Sequence, residues 1–304
     1  MNTLQHLIDI GSMDDEQLVH VLDRARAIKQ DMGKYRNALD GALAVNLFFE
    51  PSTRTRFSFE IAARRLGMQV VNFAASASSV SKGETLMDSF RTVQAMGPDV
   101  IVFRHPDNGS AADLAAHALP SVHVVNAGDG SRAHTSQAVL DMMTLQENFE
   151  DLSQIKVLIS GDLRHSRVTH SDVQAMRKLG VGEIRLASPA ELRPGDETAQ
   201  GTVQFDDLDE ALQGVNVVMM LRIQKERFTG DQAPDQEHFS HQWGLTAERL
   251  NQAAPGCLVM HPGPMNRGVE ITSEVADGPR SLILQQVANG VSARMAILMT
   301  LLGQ

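Results

Sequence analysis

Short runs of apolar and β-branched residues alternate with helical patterns along almost the whole chain. Eight runs have the length and composition of buried strands: 42–49, 68–73, 99–104, 121–127, 156–162, 183–188, 215–221 and 257–262. Helical segments lie between them, and both FSFEIAARRLG and SDVQAMRKLG end on a glycine, which suits a helix C-terminus. Because parallel strands need a crossover segment between them, this alternation predicts a parallel α/β fold.

The strand runs fall into two groups, and a chain of 304 residues exceeds the size that one core usually supports. We therefore expect two doubly wound parallel-sheet domains, with the active site in the cleft between them. The first domain is predicted at 1–136 and the second at 150–284, with a bridging helix over 137–149. A long amphipathic helix at about 285–304 is expected to return to the first domain.

Charge and cysteine content narrow the class of protein. The formal net charge is −10, from 27 Lys and Arg against 37 Asp and Glu, which argues against nucleic-acid and acidic-membrane partners. The single cysteine, Cys257, excludes an intramolecular disulfide and a cysteine-based zinc site. The N-terminus lacks the pattern of a secretory signal and no run of 18 apolar residues occurs, so we expect a cytoplasmic protein.

The segment EPSTRTRFSFE directly follows the first predicted strand and precedes a helix. A helix N-terminus at the carboxyl end of a strand offers unpaired N–H groups to an anion. Ser52, Thr53 and Thr55 add hydroxyl donors, and the guanidinium of Arg54 matches phosphate oxygens. The plainer interpretation is that the hydroxyls are ordinary helix caps and the arginine is solvated. The full STRTR pattern favours a phosphate site, although no GxxxxGK[ST] loop indicates a nucleoside triphosphate.

Seven motifs together resemble those of the aspartate and ornithine carbamoyltransferase family. They are EPSTRTRFSFE, SSVSKGET, VFRHP, AGDGSRAHTSQ, GDLRHSR, RIQKER and HPGPMNRG, in the family's order and across nearly the whole chain. The later motifs resemble the aspartate branch, because ornithine enzymes carry another segment in place of RIQKER and a cysteine within the motif written here HPGP. Cys257 lies four residues before His261 and cannot take that place.

The resemblance implies transfer of the carbamoyl group of carbamoyl phosphate to the α-amine of L-aspartate, in pyrimidine biosynthesis. It implies neither a cofactor nor a metal. A dedicated protein base is not needed either, because the departing phosphate can itself take the amine proton. The positions of the family's carbamoyl-phosphate ligands are occupied by Ser52, Thr53, Arg54, Thr55, Arg104, His134, Gln137, Gly263 and Pro264. Those expected to be catalytic are Arg54, Thr55, Arg104 and His134. A structural role is the alternative for His134, but its place beside Gln137 at a helix start favours the site.

The family's aspartate ligands match Lys82, Arg167, Arg222 and Gln224. Aspartate brings two carboxylates, and two arginines suit them, whereas ornithine brings a second amine. Surface ion pairs of small energetic value are the plainer interpretation of each arginine alone. A carbamoyltransferase for another amino-acid acceptor, and a non-catalytic carbamoyltransferase-like subunit, remain the two alternative functions.

The resemblance also implies a homotrimer in which a neighbouring subunit supplies Ser78 and Lys82 to the phosphate site. A solvated Ser/Lys-rich loop is the plainer interpretation, and a regulatory or dihydroorotase-like partner is left open. The chain departs from the family at one place, because it reads His134-Thr135-Ser136-Gln137 where relatives usually read His-Pro-Thr-Gln. Proline at the first helical position fixes φ, so its loss is expected to loosen His134 and Gln137.

Overall fold

Two parallel sheets account for the architecture. The computed structural model describes residues 4–73, 84–228 and 235–304. The chain divides into two units, one running to Met143 and joined by Ala288–Gln304, the other Thr144–Val287, and each unit contains one sheet. The expected pair of parallel-sheet α/β domains is confirmed.

The first sheet has the strand order β2-β1-β3-β4, with every neighbouring pair parallel. Its strands are β1 (Leu43–Phe48), β2 (Gln69–Asn72), β3 (Val100–His105) and β4 (His123–Asp129). The helices that begin in this unit are α1 (Asp15–Gln30), α2 (Thr53–Arg65), α3 (Leu86–Gln94), α4 (Ser110–Ala116) and α5 (Thr135–Asn148). Phe48 pairs with Arg104, so the carboxyl ends of β1 and β3 lie side by side.

The second sheet has the order β7-β6-β5-β8-β9 and is also parallel throughout. Its strands are β5 (Lys156–Gly161), β6 (Glu183–Ala187), β7 (Val203–Phe205), β8 (Val217–Leu221) and β9 (Leu258–Met260). The helices are α6 (Arg167–Lys178), α7 (Asp196–Ala199), α8 (Leu208–Leu212), α9 (Gln236–Trp243), α10 (Ala247–Leu250) and α11 (Ser273–Ala276), and α12 (Ile283–Leu301) follows.

Each sheet packs its own apolar core. In the first unit Leu47, Ile101 and Val124 of three strands pack with Phe90 and Phe103. In the second unit the core includes side chains from strands β5, β8 and β9 and from the helices, among them Leu158, Val218, Val259, Phe239 and Trp243. Burial of this kind is the main stabilising contribution to such domains, because each buried aliphatic or aromatic side chain is worth about 1.5–3 kcal/mol.

Strand β7 is present although the sequence did not predict it. It is a three-residue edge strand that, among the described residues, pairs with β6 alone, and Val203 and Gln204 are exposed. A strand this short, with little buried apolar surface, leaves no recognisable apolar run.

Two helices begin earlier than predicted. The sequence placed the helix after β1 from Phe57 and the one after β5 from Ser171, but they begin at Thr53 and Arg167. Their first turns are polar and carry no apolar periodicity. The predicted glycine ends are confirmed, because Gly67 and Gly180 follow the two helices with φ of +85° and +68°.

The C-terminal helix α12 is confirmed as a long helix, but the prediction that it is amphipathic is wrong for its second half. Every residue from Ser292 to Met299 is buried, and Arg294 is the charged side chain among them. The residues from Ala288 onward belong to the first unit. Within residues 4–73, 84–228 and 235–304, no helix combines the length and hydropathy needed to cross a lipid bilayer.

Candidate functional site

The STRTR segment forms the first turn of α2, directly beyond the carboxyl end of β1. Ser52 occupies the N-cap position, yet its side chain makes no capping hydrogen bond within the part of the chain that the structure describes. Thr55 is buried, whereas Thr53 and Arg54 are exposed. The helix-cap interpretation therefore does not account for Ser52, and the turn presents N–H groups, hydroxyls and a guanidinium together, as anion binding requires.

Arg104, near the end of β3, is held by two neighbouring segments. Its Nε donates to Glu50 Oε2 at 3.1 Å, and its Nη1 donates to the carbonyl oxygen of Ala127 at 3.1 Å. The β3–β4 register shifts beside Arg104, between Phe103 and His105. Glu50 orients the guanidinium and was not predicted as a site residue, although it lies inside the EPSTRTRFSFE motif.

The first turn of α5 carries His134, Thr135 and Gln137, all of them buried. The carbonyl oxygen of His134 accepts the N–H groups of Gln137 at 2.9 Å and Ala138 at 3.2 Å, so His134 caps the helix through its backbone. Gln137 Nε2 donates to both carboxylate oxygens of Asp141, at 3.1 Å each. Strands β1, β3 and β4 are adjacent in the first sheet. The carboxyl ends of these three strands therefore carry residues 52–55, Arg104 and the start of α5.

Thr135, at the position where the family resemblance led us to expect proline, is anchored to the N-terminal segment. Its hydroxyl donates to the carbonyl oxygen of Ile8 at 2.8 Å, and Asn126 Nδ2 donates to the same oxygen at 2.8 Å. Leu7 pairs in parallel with Val125 of β4. The expectation that threonine loosens this turn is thus opposed by a part-buried hydrogen bond to the N-terminal segment.

Replacing Thr135 with proline is expected to leave the fold intact, and turnover of the implied carbamoyl transfer equal or higher. Thr135 is the first helical residue, where the N–H has no partner in the helix and proline fixes φ. Asn126 still donates to Ile8 O. The matched variant Thr135→Val, which lacks the hydroxyl and does not fix φ, is expected to lower the free energy of unfolding by about 1 kcal/mol. Denaturant unfolding measures the stability of the two variants, and steady-state kinetics measure their turnover. A Thr135→Pro variant that folds but has almost no turnover contradicts the placement of His134 in the active site.

In the second unit, β5 and β8 end side by side and carry the GDLRHSR and RIQKER segments. Gly161 pairs with Leu221 and has φ of +129°, and a Cβ built there lies 2.2 Å from the carbonyl oxygen of Leu221. Only glycine fits this close approach. Arg167, the first residue of α6, is 5% exposed, and Arg222 is half-buried just beyond β8.

Asp162 fastens these two segments to each other. It is fully buried, and its Oδ2 accepts the N–H of Gln224 at 3.1 Å while its Oδ1 accepts the N–H of His165 at 3.2 Å. Gln224 Nε2 and Arg227 Nη1 both donate to the carbonyl oxygen of His165, at 2.8 and 3.0 Å. Asp162 was not predicted as a site residue, although a carboxylate at the end of the predicted strand 156–162 was an available signal.

The HPGP segment follows β9, which is adjacent to β8. The N–H of Gly263 donates to His261 Nδ1 at 2.8 Å, so Nε2 carries the proton and donates to Glu270 Oε1 at 3.1 Å. Glu270 is fully buried and also accepts the N–H of Asn266 at 2.6 Å. These bonds fix the backbone that bears the Gly263 and Pro264 carbonyls. Glu270 is thus a further residue that positions this loop, and it was not predicted from the sequence.

Cys257 is 1% exposed, and burial raises the pKa of its thiol to about 12. A thiol with this pKa stays neutral at physiological pH and is a poor nucleophile. It therefore packs in the core and does not serve as an ornithine-type cysteine.

The structure thus brings the predicted residues together in two sets. One set, residues 52–55 with Arg104, His134 and Gln137, follows the carboxyl ends of β1, β3 and β4. The other, Arg167, Arg222, Gln224, Gly263 and Pro264, follows the ends of β5, β8 and β9. Ser78 and Lys82 lie outside the described residues.

Two family models match the chain. The aspartate/ornithine carbamoyltransferase carbamoyl-P binding domain matches residues 5–147, and the Asp/Orn binding domain of the same family matches residues 153–301. A protein of Stenotrophomonas maltophilia (strain R551-3), named aspartate carbamoyltransferase catalytic subunit, is 51% identical over 305 residues, covering 99% of this chain and 96% of the relative. A protein of the same name from Xanthomonas oryzae pv. oryzae (strain MAFF 311018) is 50% identical with the same coverage.

Solved structures of aspartate and ornithine carbamoyltransferases are also similar to this chain. Aspartate transcarbamoylase from Trypanosoma cruzi, in complex with carbamoyl phosphate and aspartate, superposes with a TM-score of 0.87 at 31% identity, covering 97% of this chain and 96% of the other. Ornithine carbamoyltransferase from Thermus thermophilus has a TM-score of 0.87 at 27% identity, covering 98% and 99%. The sequence identity is higher to the structure named for aspartate.

Proposed function

The chain belongs to the aspartate/ornithine carbamoyltransferase family, and we propose that it transfers the carbamoyl group of carbamoyl phosphate to L-aspartate. The products are N-carbamoyl-L-aspartate and phosphate, and the step belongs to pyrimidine biosynthesis. The observation that carries the choice of acceptor is the near-full-length identity to relatives named aspartate carbamoyltransferase catalytic subunit. The Arg222 and Gln224 segment, fastened by Asp162, supports the same choice.

The phosphate is held at the start of α2. Ser52, Thr53 and Thr55 donate through their hydroxyls and Arg54 through its guanidinium, while the helix N-terminus favours negative charge. This binding continues through the reaction, because phosphate is also the leaving group and gains charge as its bond to carbon breaks.

The chemical step is attack by the neutral α-amine of aspartate on the carbamoyl carbon. A C–N bond forms, the bond between carbon and the phosphate oxygen breaks, and the departing phosphate takes the amine proton. Negative charge grows on the carbonyl oxygen, where Thr55, Arg104 and His134 donate. A preorganised donor of this kind contributes about 3 kcal/mol, and Arg104 is preorganised by Glu50 and the Ala127 carbonyl.

The carbamoyl NH₂ group needs acceptors in the same step. Gln137 offers its amide oxygen, and Gly263 and Pro264 offer backbone carbonyls on a loop fixed by His261 and Glu270. Arg167, Arg222, Gln224 and Lys82 bind aspartate. Two arginines neutralise its two carboxylates.

We further propose a cytoplasmic homotrimer in which a neighbouring subunit supplies Ser78 and Lys82 to the phosphate. The family resemblance of SSVSKGET supports this sharing, and Lys82 adds positive charge for a dianion.

Shared sites predict complementation between two inactive variants. Arg54→Ala and Lys82→Ala are each expected to be nearly inactive, because each removes a cation from every site of its own trimer. In a mixed trimer, one interface joins the intact Arg54 of one chain to the intact Lys82 of the next. Dissociating and reassociating the two proteins together is therefore expected to restore about a third of wild-type activity per mixed trimer. If verified mixed trimers stay inactive, each active site lies within one chain.

The proposed function is tested by measuring carbamoylation of a panel of amino acids by the purified protein. The expected result is efficient transfer to L-aspartate and little transfer to ornithine and the others. Efficient transfer to a different member of the panel selects the alternative acceptor. No transfer to any of them, with a folded protein that still binds carbamoyl phosphate, selects a non-catalytic subunit.

A further inference from the structure

Asp141 lies one helical turn after Gln137 on α5 and is fully buried. Both of its carboxylate oxygens accept from Gln137 Nε2, at 3.1 Å each. A carboxylate can only accept hydrogen bonds, so it selects one of the two orientations of the glutamine amide. The reverse orientation places the amide oxygen against the carboxylate, where lone pairs repel.

A buried cation on α12 interacts electrostatically with this carboxylate. Arg294 on α12 is 3% exposed, and burial lowers its pKa to about 10 while the charge of Asp141 acts in the opposite direction. A guanidinium with that pKa remains charged at neutral pH. A buried charge of this kind requires compensation, since desolvation costs several kcal/mol per ion.

Arg294 is itself fixed by its surroundings. Its Nη1 donates to the carbonyl oxygen of Gly290 at 3.0 Å, its Nη2 to Ser136 Oγ at 3.4 Å, and its guanidinium lies over the Phe59 ring at 5.0 Å. A Cβ at Gly290 would lie 2.6 Å from Nη1. The sequence therefore leaves space for this guanidinium beside the helix that carries Gln137.

We propose that Asp141 is a positioning residue that turns the amide oxygen of Gln137 toward the carbamoyl NH₂ group, with Arg294 as its buried counter-charge. The proposal rests on the proposed function, in which Gln137 accepts from that NH₂. Asp141 touches neither substrate and acts through Gln137. Its effect is on the orientation of the Gln137 amide. Without the carboxylate, that amide can turn its own NH₂ group toward the carbamoyl NH₂, and an NH₂ group cannot accept a hydrogen bond.

A double-mutant cycle between Asp141→Asn and Gln137→Ala tests this route. An asparagine side chain can donate to the Gln137 oxygen, so the amide loses its preferred orientation. Each single variant is expected to lower kcat about tenfold or more, with the KM for aspartate changed less than about threefold. In the Gln137→Ala background, Asp141→Asn is expected to change kcat by less than about twofold, because there is no amide left to orient.

Two controls separate orientation from loss of stability. Val139→Ala shortens a fully buried side chain two residues before Asp141 on α5, and it is expected to lower Tm while leaving kcat within about twofold. Asp141→Asn combined with Arg294→Met removes both buried charges, and it is the variant to use if Asp141→Asn alone does not fold. It is expected to show the same fall in kcat.

The outcomes are distinct. A wild-type kcat in folded Asp141→Asn or in the Asp141→Asn, Arg294→Met pair overturns the proposal. So does an effect of Asp141→Asn that is undiminished in the Gln137→Ala background, because Asp141 then acts by another route. A wild-type kcat in Gln137→Ala instead overturns the role of Gln137 in the proposed function.

Discussion

Replacing Arg54 with alanine is expected to lower kcat/KM for carbamoyl phosphate by about a thousandfold, which corresponds to about 4 kcal/mol of transition-state stabilisation. The side chain is exposed in the first turn of α2, among three hydroxyl residues. Its guanidinium would contact the phosphate group both in bound carbamoyl phosphate and as that group leaves. Arg54→Lys should recover little, because an ammonium cannot reproduce the two-pronged guanidinium contact.

Steady-state kinetics and a thermal unfolding curve check this prediction together. The matched control is Arg64→Ala on the same helix, which breaks a surface pair with Glu60 at 3.0 Å, where the arginine side chain is 63% exposed. Exposed pairs are worth about 0–1 kcal/mol, so the control should stay active and folded. If Arg54→Ala retains activity within about threefold, the start of α2 does not hold the phosphate.

Arg222→Ala is expected to raise the KM for aspartate about thirtyfold or more and to change the KM for carbamoyl phosphate far less. Loss of a charge-assisted pair to a desolvated carboxylate costs about 2–4 kcal/mol. The residue lies just beyond β8 on the segment that Asp162 holds. Rates measured over a matrix of both substrate concentrations separate the two constants.

Arg193→Ala is the matched control for Arg222. Arg193 is an exposed arginine of the same unit whose Nη2 pairs with Asp206 Oδ1 at 2.5 Å. Its loss should leave both Michaelis constants near those of the wild type. An aspartate dependence that is unchanged in Arg222→Ala would remove that residue from the acceptor site.

The sheets could be predicted from the sequence because most of their strands are buried apolar runs. Leu43–Phe48 and Val217–Leu221 are almost entirely buried, and such runs stand out from helical patterns. Val203–Phe205 lies at an edge with two exposed residues and gave no such signal. The early starts of α2 and α6 were not predicted for a related reason. The first turns of these helices are polar, so they show no apolar periodicity.

The residues expected to bind substrate were named from motifs, but those that hold them were not. Asp162 and Gln224 are 62 residues apart in the chain, and their bond exists only because β5 and β8 are neighbours. Glu50 with Arg104 and Glu270 with His261 are likewise pairs created by the fold. A motif records which side chains a reaction requires, whereas orientation depends on contacts between segments that the sequence does not place side by side.

The pairing of Leu7 with Val125 has a practical consequence for handling the protein. Leu7 donates to Val124 O at 2.9 Å and accepts from Asn126 at 2.8 Å, so this segment covers part of the outer edge of β4. Deleting residues 4–8 would bare that edge, a surface prone to intermolecular strand pairing. It would also remove the Ile8 carbonyl that anchors Thr135 and Asn126.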